Sequence, residues 1–125
     1  MSVPDEQEFS VTGGRVAAPG EGVVDWLPPV DIVETPAAFK VTIEVCGVSR
    51  EDIHASFEEG RLSVWGVRRP TVDETHHYRE RRMGRFARAF SFRTPVDQAG
   101  VSAGLARGVL TLTVPKRLPR RIPLE

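Results

Sequence analysis

The chain has 125 residues, 17 acidic and 17 basic side chains, 40% hydrophobic residues and a single cysteine, so there is room for one domain of about 90 residues with tails. No apolar run approaches the ~20 residues that a membrane span requires, and a transmembrane helix is therefore not expected. Zero net charge hides an asymmetry: residues 1–60 carry twelve Asp/Glu against three Lys/Arg, a balance of −9, and residues 61–125 carry five against fourteen, a balance of +9.

Such a split marks either a nucleic-acid surface or two halves that pair with each other or with a second copy. A chain near zero net charge also has little repulsion to oppose self-association. With Cys46 alone, no intrachain disulfide forms. The first residues lack the basic start and apolar run of a secretory signal, so a reducing, cytoplasmic location is expected.

Residues 1–25 are rich in Gly, Pro, Ala and acidic residues, with Gly13-Gly14, Pro19-Gly20 and Gly22 breaking any long element, and they read as a flexible arm. Trp26-Leu27-Pro28-Pro29 marks entry to a domain. From Val30 onward only strand signals appear. Asp31 to Glu34 is a short segment; Phe39, Val41, Ile43 and Val45 then alternate with polar residues at period two. After the break at Cys46-Gly47, Ser49 to Asp52 predicts a helical turn. Ile53, Ala55 and Phe57 alternate up to Glu59-Gly60, which turns the chain into Leu62 and Val64 as a hairpin.

Residues 67–84 are polar throughout, and a loop of that length inside a compact domain usually has a function or a partner. Phe86, Arg88, Phe90 and Phe92 alternate as a further strand, and Val101, Ala103 and Leu105 as a short one. Gly108 to Lys116 reads as a buried late strand that opens on glycine and closes on a proline unable to donate to a ladder. Several short strands with frequent turns and no long amphipathic helix predict an all-β, immunoglobulin-like antiparallel β-sandwich.

Gly-Val-Leu-Thr-Leu-Thr-Val-Pro-Lys at 108–116 resembles the signature near the end of the α-crystallin domain of small heat-shock proteins. The order of the other pieces resembles the same family: Trp26 with Pro28, Val30 to Thr35, Gly47-Val48 with Glu51-Asp52-Ile53, Gly60 to Val64 with Gly66, Tyr78 to Arg81, Gly84 to Phe90, and Ala103. Two turns depart from the family pattern, Val45-Cys46-Gly47 in place of L-P-G and Phe90-Ser91-Phe92-Arg93 in place of aromatic-x-L-P.

The resemblance implies an N-terminal arm at 1–25, an α-crystallin domain at 26–116 and a C-terminal extension at 117–125. It implies a homodimer made by exchanging a strand carried on the loop before Gly84. In this chain Thr75, His76, His77 and Tyr78 would pair with Asp31, Ile32, Val33 and Glu34 of a second copy, and Arg88 would bridge to a carboxylate at that interface. It also implies a tail motif, here Ile122-Pro123-Leu124, where Leu124 replaces the usual Ile or Val. Pro123 favours extended geometry at Ile122, so Ile122 and Leu124 project to one side. Their socket would lie between the strand of Ile53, Ala55 and Phe57 and the strand of Val101, Ala103 and Leu105; which of these six face the groove and which the core is left open.

The implied activity is ATP-independent holding of partly unfolded client proteins by larger homo-oligomers, without a cofactor or metal. No phosphate loop, paired carboxylates or nucleophile motif argues for an enzyme. Cys46 ends an apolar strand with no activating histidine beside it in sequence and reads as a small hydrophobe. His76-His77 lacks companion ligand spacing and reads as a solvated loop. Two alternatives remain: a nucleic-acid-binding β domain using the arginines of 79–93 with Tyr78, Phe86, Phe90 and Phe92, and a co-chaperone adaptor of the related CS-domain type, which would lack both the long loop and the tail motif.

Overall fold

A computed structural model describes the backbone of residues 7–9 together with residues 24–70, 75–118 and 122–124. Most of the arm, the loop tip at 71–74 and the linker at 119–121 lie outside the described residues.

Period-two alternation produces strands wherever the sequence carries it. The strands are β1 (Gln7–Phe9), β2 (Val30–Glu34), β3 (Ala38–Glu44), β4 (Ile53–Glu58), β5 (Arg61–Arg68), β6 (Gly84–Ser91), β7 (Ser102–Ala106) and β8 (Val109–Pro115), with short 3-10 turns at Arg50–Asp52 and Gln98–Gly100. They form two antiparallel sheets, β1-β7-β8-β3-β2 and β4-β5-β6. The chain is thus the all-β antiparallel sandwich that the alternation predicts.

The two hairpin turns have left-handed backbone at both central residues, Glu59 (φ 50°) with Gly60 (φ 76°) and Arg107 (φ 53°) with Gly108 (φ 77°). That geometry matches the right-handed twist of the flanking strands. It fixes the registers Ala55↔Val64 and Leu105↔Leu110. A one-residue slip would turn every apolar side chain outward.

The core lies between the sheets. Val41, Ile43 and Val45 from β3 and the residue after it meet Leu110, Leu112 and Val114 of β8 on one side, and Phe57, Leu62, Val64 and Phe86 on the other, all buried. Trp26 closes one end of this cluster: its ring centre is 5.1 Å from that of Phe86, and its Nε1 donates to the Gly84 carbonyl at 2.9 Å.

Three features differ from the sequence expectation. Gln7–Phe9 of the arm forms a strand that pairs with β7 over Ala103 to Leu105. Glycine-rich surroundings hide a three-residue strand because its pairing is made with a distant edge rather than by local propensity. The polar loop begins two residues later than expected, because β5 continues through Val67 and Arg68. Arg68 is only 8% exposed, since it follows Leu62, Val64 and Gly66 on the core-facing side of the strand.

Candidate assembly and client-binding surfaces

The predicted dimer strand is an edge. β2 is hydrogen-bonded to β3 on one side, and its other side is unpaired among the described residues. The residue types are those of an interior strand, yet Ile32 is 44% and Val33 54% exposed. Lys116 Nζ donates to Glu34 Oε2 at 2.7 Å and anchors the strand's end. An unblunted edge with exposed aliphatics is a template for a further strand.

Of the segment expected to pair with it, Thr75, His76, His77 and Tyr78 are exposed and outside any strand in the single chain. Tyr78 is 78% exposed, and its hydroxyl donates to Glu80 Oε1 at 2.8 Å. Among the described residues no group of three His, Cys, Asp or Glu side chains is placed to hold a metal ion.

Arg88 shares a face with the aromatics of β6 rather than opposing them, because its cross-strand partner is Val64, as Phe90's is Leu62. It sits 5.5 Å over the Phe90 ring, and Nη1 donates to the Pro28 carbonyl at 3.4 Å, so it reaches toward the start of β2. Among the described residues no carboxylate pairs with it.

The six residues of the expected tail socket lie on β4 and on β7 with the residue before it. Gln98 ties the two regions, donating from Nε2 to the Phe57 carbonyl at 3.0 Å. Ile53, Ala55, Phe57 and Leu105 are buried in the core of the single chain, whereas Val101 and Ala103 are only partly buried and pack against that core. The two knobs of the tail stand free: Ile122 is 79% and Leu124 99% exposed.

One arrangement was missed by sequence reasoning. The Arg68 guanidinium stacks 3.9 Å over the Trp26 ring and donates from Nη1 to the Arg82 carbonyl at 2.8 Å, which ties together the two roots of the long loop. The continuing alternation 62, 64, 66, 68 was the available signal, and charge obscured it.

The described residues form a two-sheet antiparallel β-sandwich with an unpaired aliphatic edge at β2 and an exposed apolar tail. A model of the Hsp20/alpha crystallin family matches residues 31–124, and the chain belongs to that family, the small heat-shock proteins. It is 36% identical over 100 residues to the chloroplastic heat shock 22 kDa protein of Chlamydomonas reinhardtii, covering 76% of this chain and 64% of that one. It is 37% identical over 108 residues to spore protein SP21 of Stigmatella aurantiaca, covering 82% and 64%. The chain therefore spans less than two thirds of the length of these relatives. Among solved structures, a small heat-shock protein from Xylella fastidiosa superimposes with a TM-score of 0.71 at 33% identity, covering 82% of this chain and 99% of that one. Heat shock protein 16.0 from Schizosaccharomyces pombe shares the fold, with a TM-score of 0.74 at 23% identity over 86% and 81%.

Proposed function

We propose that this protein is an ATP-independent holding chaperone that stores its apolar surface in homo-oligomers and presents it to partly unfolded proteins. The observation that carries this is the exposed apolar side chains of two elements, Ile32 and Val33 on the β2 edge and Ile122 and Leu124 of the tail, beside a buried core. Apolar groups left in water in this way are interaction surfaces or aggregation liabilities. Reversible assembly covers them without destroying them.

In this scheme a homodimer forms when Thr75 to Tyr78 of one copy pairs with Asp31 to Glu34 of the other, satisfying backbone groups on both. Arg88, whose only polar contact among the described residues is a long hydrogen bond to a carbonyl, takes a partner carboxylate. Dimers join through Ile122 and Leu124 seated beside Val101 and Ala103. The charge asymmetry of the two halves supports pairing between copies. Of the arginines in 79–93, Arg88 is engaged with the Phe90 ring and the Pro28 carbonyl, and the family in which the chain falls favours the chaperone reading over nucleic-acid binding. No described helix is long and apolar enough to cross a membrane; the single cysteine, which can form no intrachain disulfide, supports a reducing, cytoplasmic location. The test is suppression of the aggregation of a heated test protein without ATP, run beside light scattering of the native mass. A chain that suppresses nothing, or is monomeric, defeats the proposal.

A further inference from the structure

Cys46 follows buried Val45 at the end of β3, carries a free thiol and is exposed. Its backbone is held firmly. Val45 N donates to the Gly108 carbonyl at 2.7 Å, and Gly108 approaches so closely that a Cβ there would lie 2.8 Å from both Cα and Cβ of Cys46. The Cα–Cβ bond of Cys46, from which the sulfur hangs, is therefore held in place by the neighbouring turn. On its other side Arg68 Nη2 stands 4.0 Å from Sγ.

Arg68 is the unusual partner. It is nine-tenths buried, no carboxylate pairs with it among the described residues, and its Nε has no hydrogen-bond acceptor. A buried guanidinium short of acceptors is costly, and the cost falls when an anion reaches it. A groove of about 500 Å³ opens here, lined by Trp26, Leu27, Glu44, Cys46, Arg68 and Arg82. That is the size range of small-molecule sites. It offers an apolar wall, two guanidinium groups and one carboxylate around a thiol.

We propose that Cys46 is a site of reversible mixed-disulfide formation with a low-molecular-weight disulfide of the glutathione class. Carboxylates of the small molecule accept hydrogen bonds from Arg68 and Arg82, and its ammonium group faces Glu44. Cys46 gives its proton to water, and Sγ attacks one sulfur of the small disulfide. The S–S bond breaks, its electron pair leaves on the second half as a thiolate, and that thiolate takes a proton from water. The same two electrons oxidise Cys46 and reduce the small disulfide, and excess small thiol reverses the step. The adduct lies against Arg68 and Arg82, at the roots of the long loop.

The test uses the full chain and intact-mass spectrometry. Rates of modification by oxidised glutathione and by neutral hydroxyethyl disulfide are measured on folded and on urea-unfolded protein, and selectivity is the folded ratio divided by the unfolded one. Selectivity well above one is expected for the folded chain, together with no adduct on Cys46→Ser. Arg82→Ala, which removes an exposed side chain and keeps the carbonyl that Arg68 uses, is expected to lower selectivity roughly two- to fivefold, the worth of one screened ion pair. Salt at about 1 M, where the screening length falls to about 3 Å, should lower it as well. A folded wild-type selectivity of one, or an Arg82→Ala value equal to wild type, overturns the proposal and leaves Cys46 an ordinary exposed thiol. Either result is independent of chaperone activity, which this assay does not read.

Discussion

Replacing both knobs of the tail, Ile122→Ala with Leu124→Ala, separates assembly from folding. Each substitution deletes three carbons, so a plug that is fully buried in a neighbour loses roughly 5 kcal/mol of transfer free energy at about 0.8 kcal/mol per group. Part of the wild-type gain is already offset by ordering two side chains and the linker, at about 0.5–1.5 kcal/mol for each immobilised side chain. A single plug would accordingly be weak and exchangeable, and the proposed oligomer would depend on many acting together. Losing roughly 5 kcal/mol per plug weakens each inter-dimer contact by about three orders of magnitude or more. The core should not notice, because Ile122 and Leu124 are 79% and 99% exposed in the single chain. Sedimentation velocity is expected to show mostly dimers, and thermal unfolding followed by circular dichroism should change within the roughly 0.5 kcal/mol typical of surface positions. A double variant that keeps the wild-type native mass would show that the tail is not the link between dimers.

Removing residues 72–80 takes away the segment proposed to pair with β2, and monomers are expected by light scattering; persistent dimers would rule out strand exchange. Arg88→Ala should weaken the dimer without unfolding the chain, measured as a rise in the dimer dissociation constant, since it strands a carboxylate of the partner. An unchanged constant would refute the bridge. Gly66→Ala is expected to cost more than about 3 kcal/mol in urea unfolding, because the added Cβ would meet the Asp52 carbonyl oxygen at 2.1 Å and Phe86 Cζ at 2.8 Å. Trp26→Ala should cost about 3–5 kcal/mol by the same assay, as it removes the Phe86 contact, the Gly84 hydrogen bond and the surface on which Arg68 stacks.

Strands were legible because burial on one face writes itself into the sequence at period two. Phe39, Val41, Ile43 and Val45, and Leu62 with Val64, are core residues in both descriptions. Turn chemistry at Glu59-Gly60 and Arg107-Gly108 gave the hairpins, since left-handed backbone favours glycine. Pairing between distant segments left weaker traces. Nothing local in Gln7–Phe9 specifies its place on β7. Arg88 was legible by contrast: its alternation with Phe86 and Phe90 put it on their face, and its register opposite Val64 agrees. Arg68 was misassigned to the loop: a guanidinium over an indole ring is compatible with a core-facing position, and polarity alone suggests solvent. The proposed assembly elements, Asp31 to Glu34 and Ile122 to Leu124, rest on the resemblance. Their exposure on the folded sandwich is what the structure adds.

The four sheet margins explain why these elements are exposed. An open strand edge invites unwanted pairing, and proteins usually cover it, charge it or shorten it. At the far end of the larger sheet β1 pairs with β7 over Ala103 to Leu105 and is itself a short, three-residue edge. The β6 margin is met by the segment before β2, where Asp25 N and Trp26 N donate to the Arg85 carbonyl at 2.8 and 3.3 Å and Asp25 Oδ2 accepts from Arg85 N at 2.8 Å. Among the described residues the margins of β2 and β4 lack such a strand or segment, apart from the single Gln98 side chain on β4. Those two margins are where the proposed exchanged strand and the proposed tail would dock. A chain that leaves aliphatic side chains on the β2 edge retains an aggregation hazard that a further strand would remove. In the proposed function that strand comes from another copy, so its removal would be reversible, which is the property a holding chaperone needs.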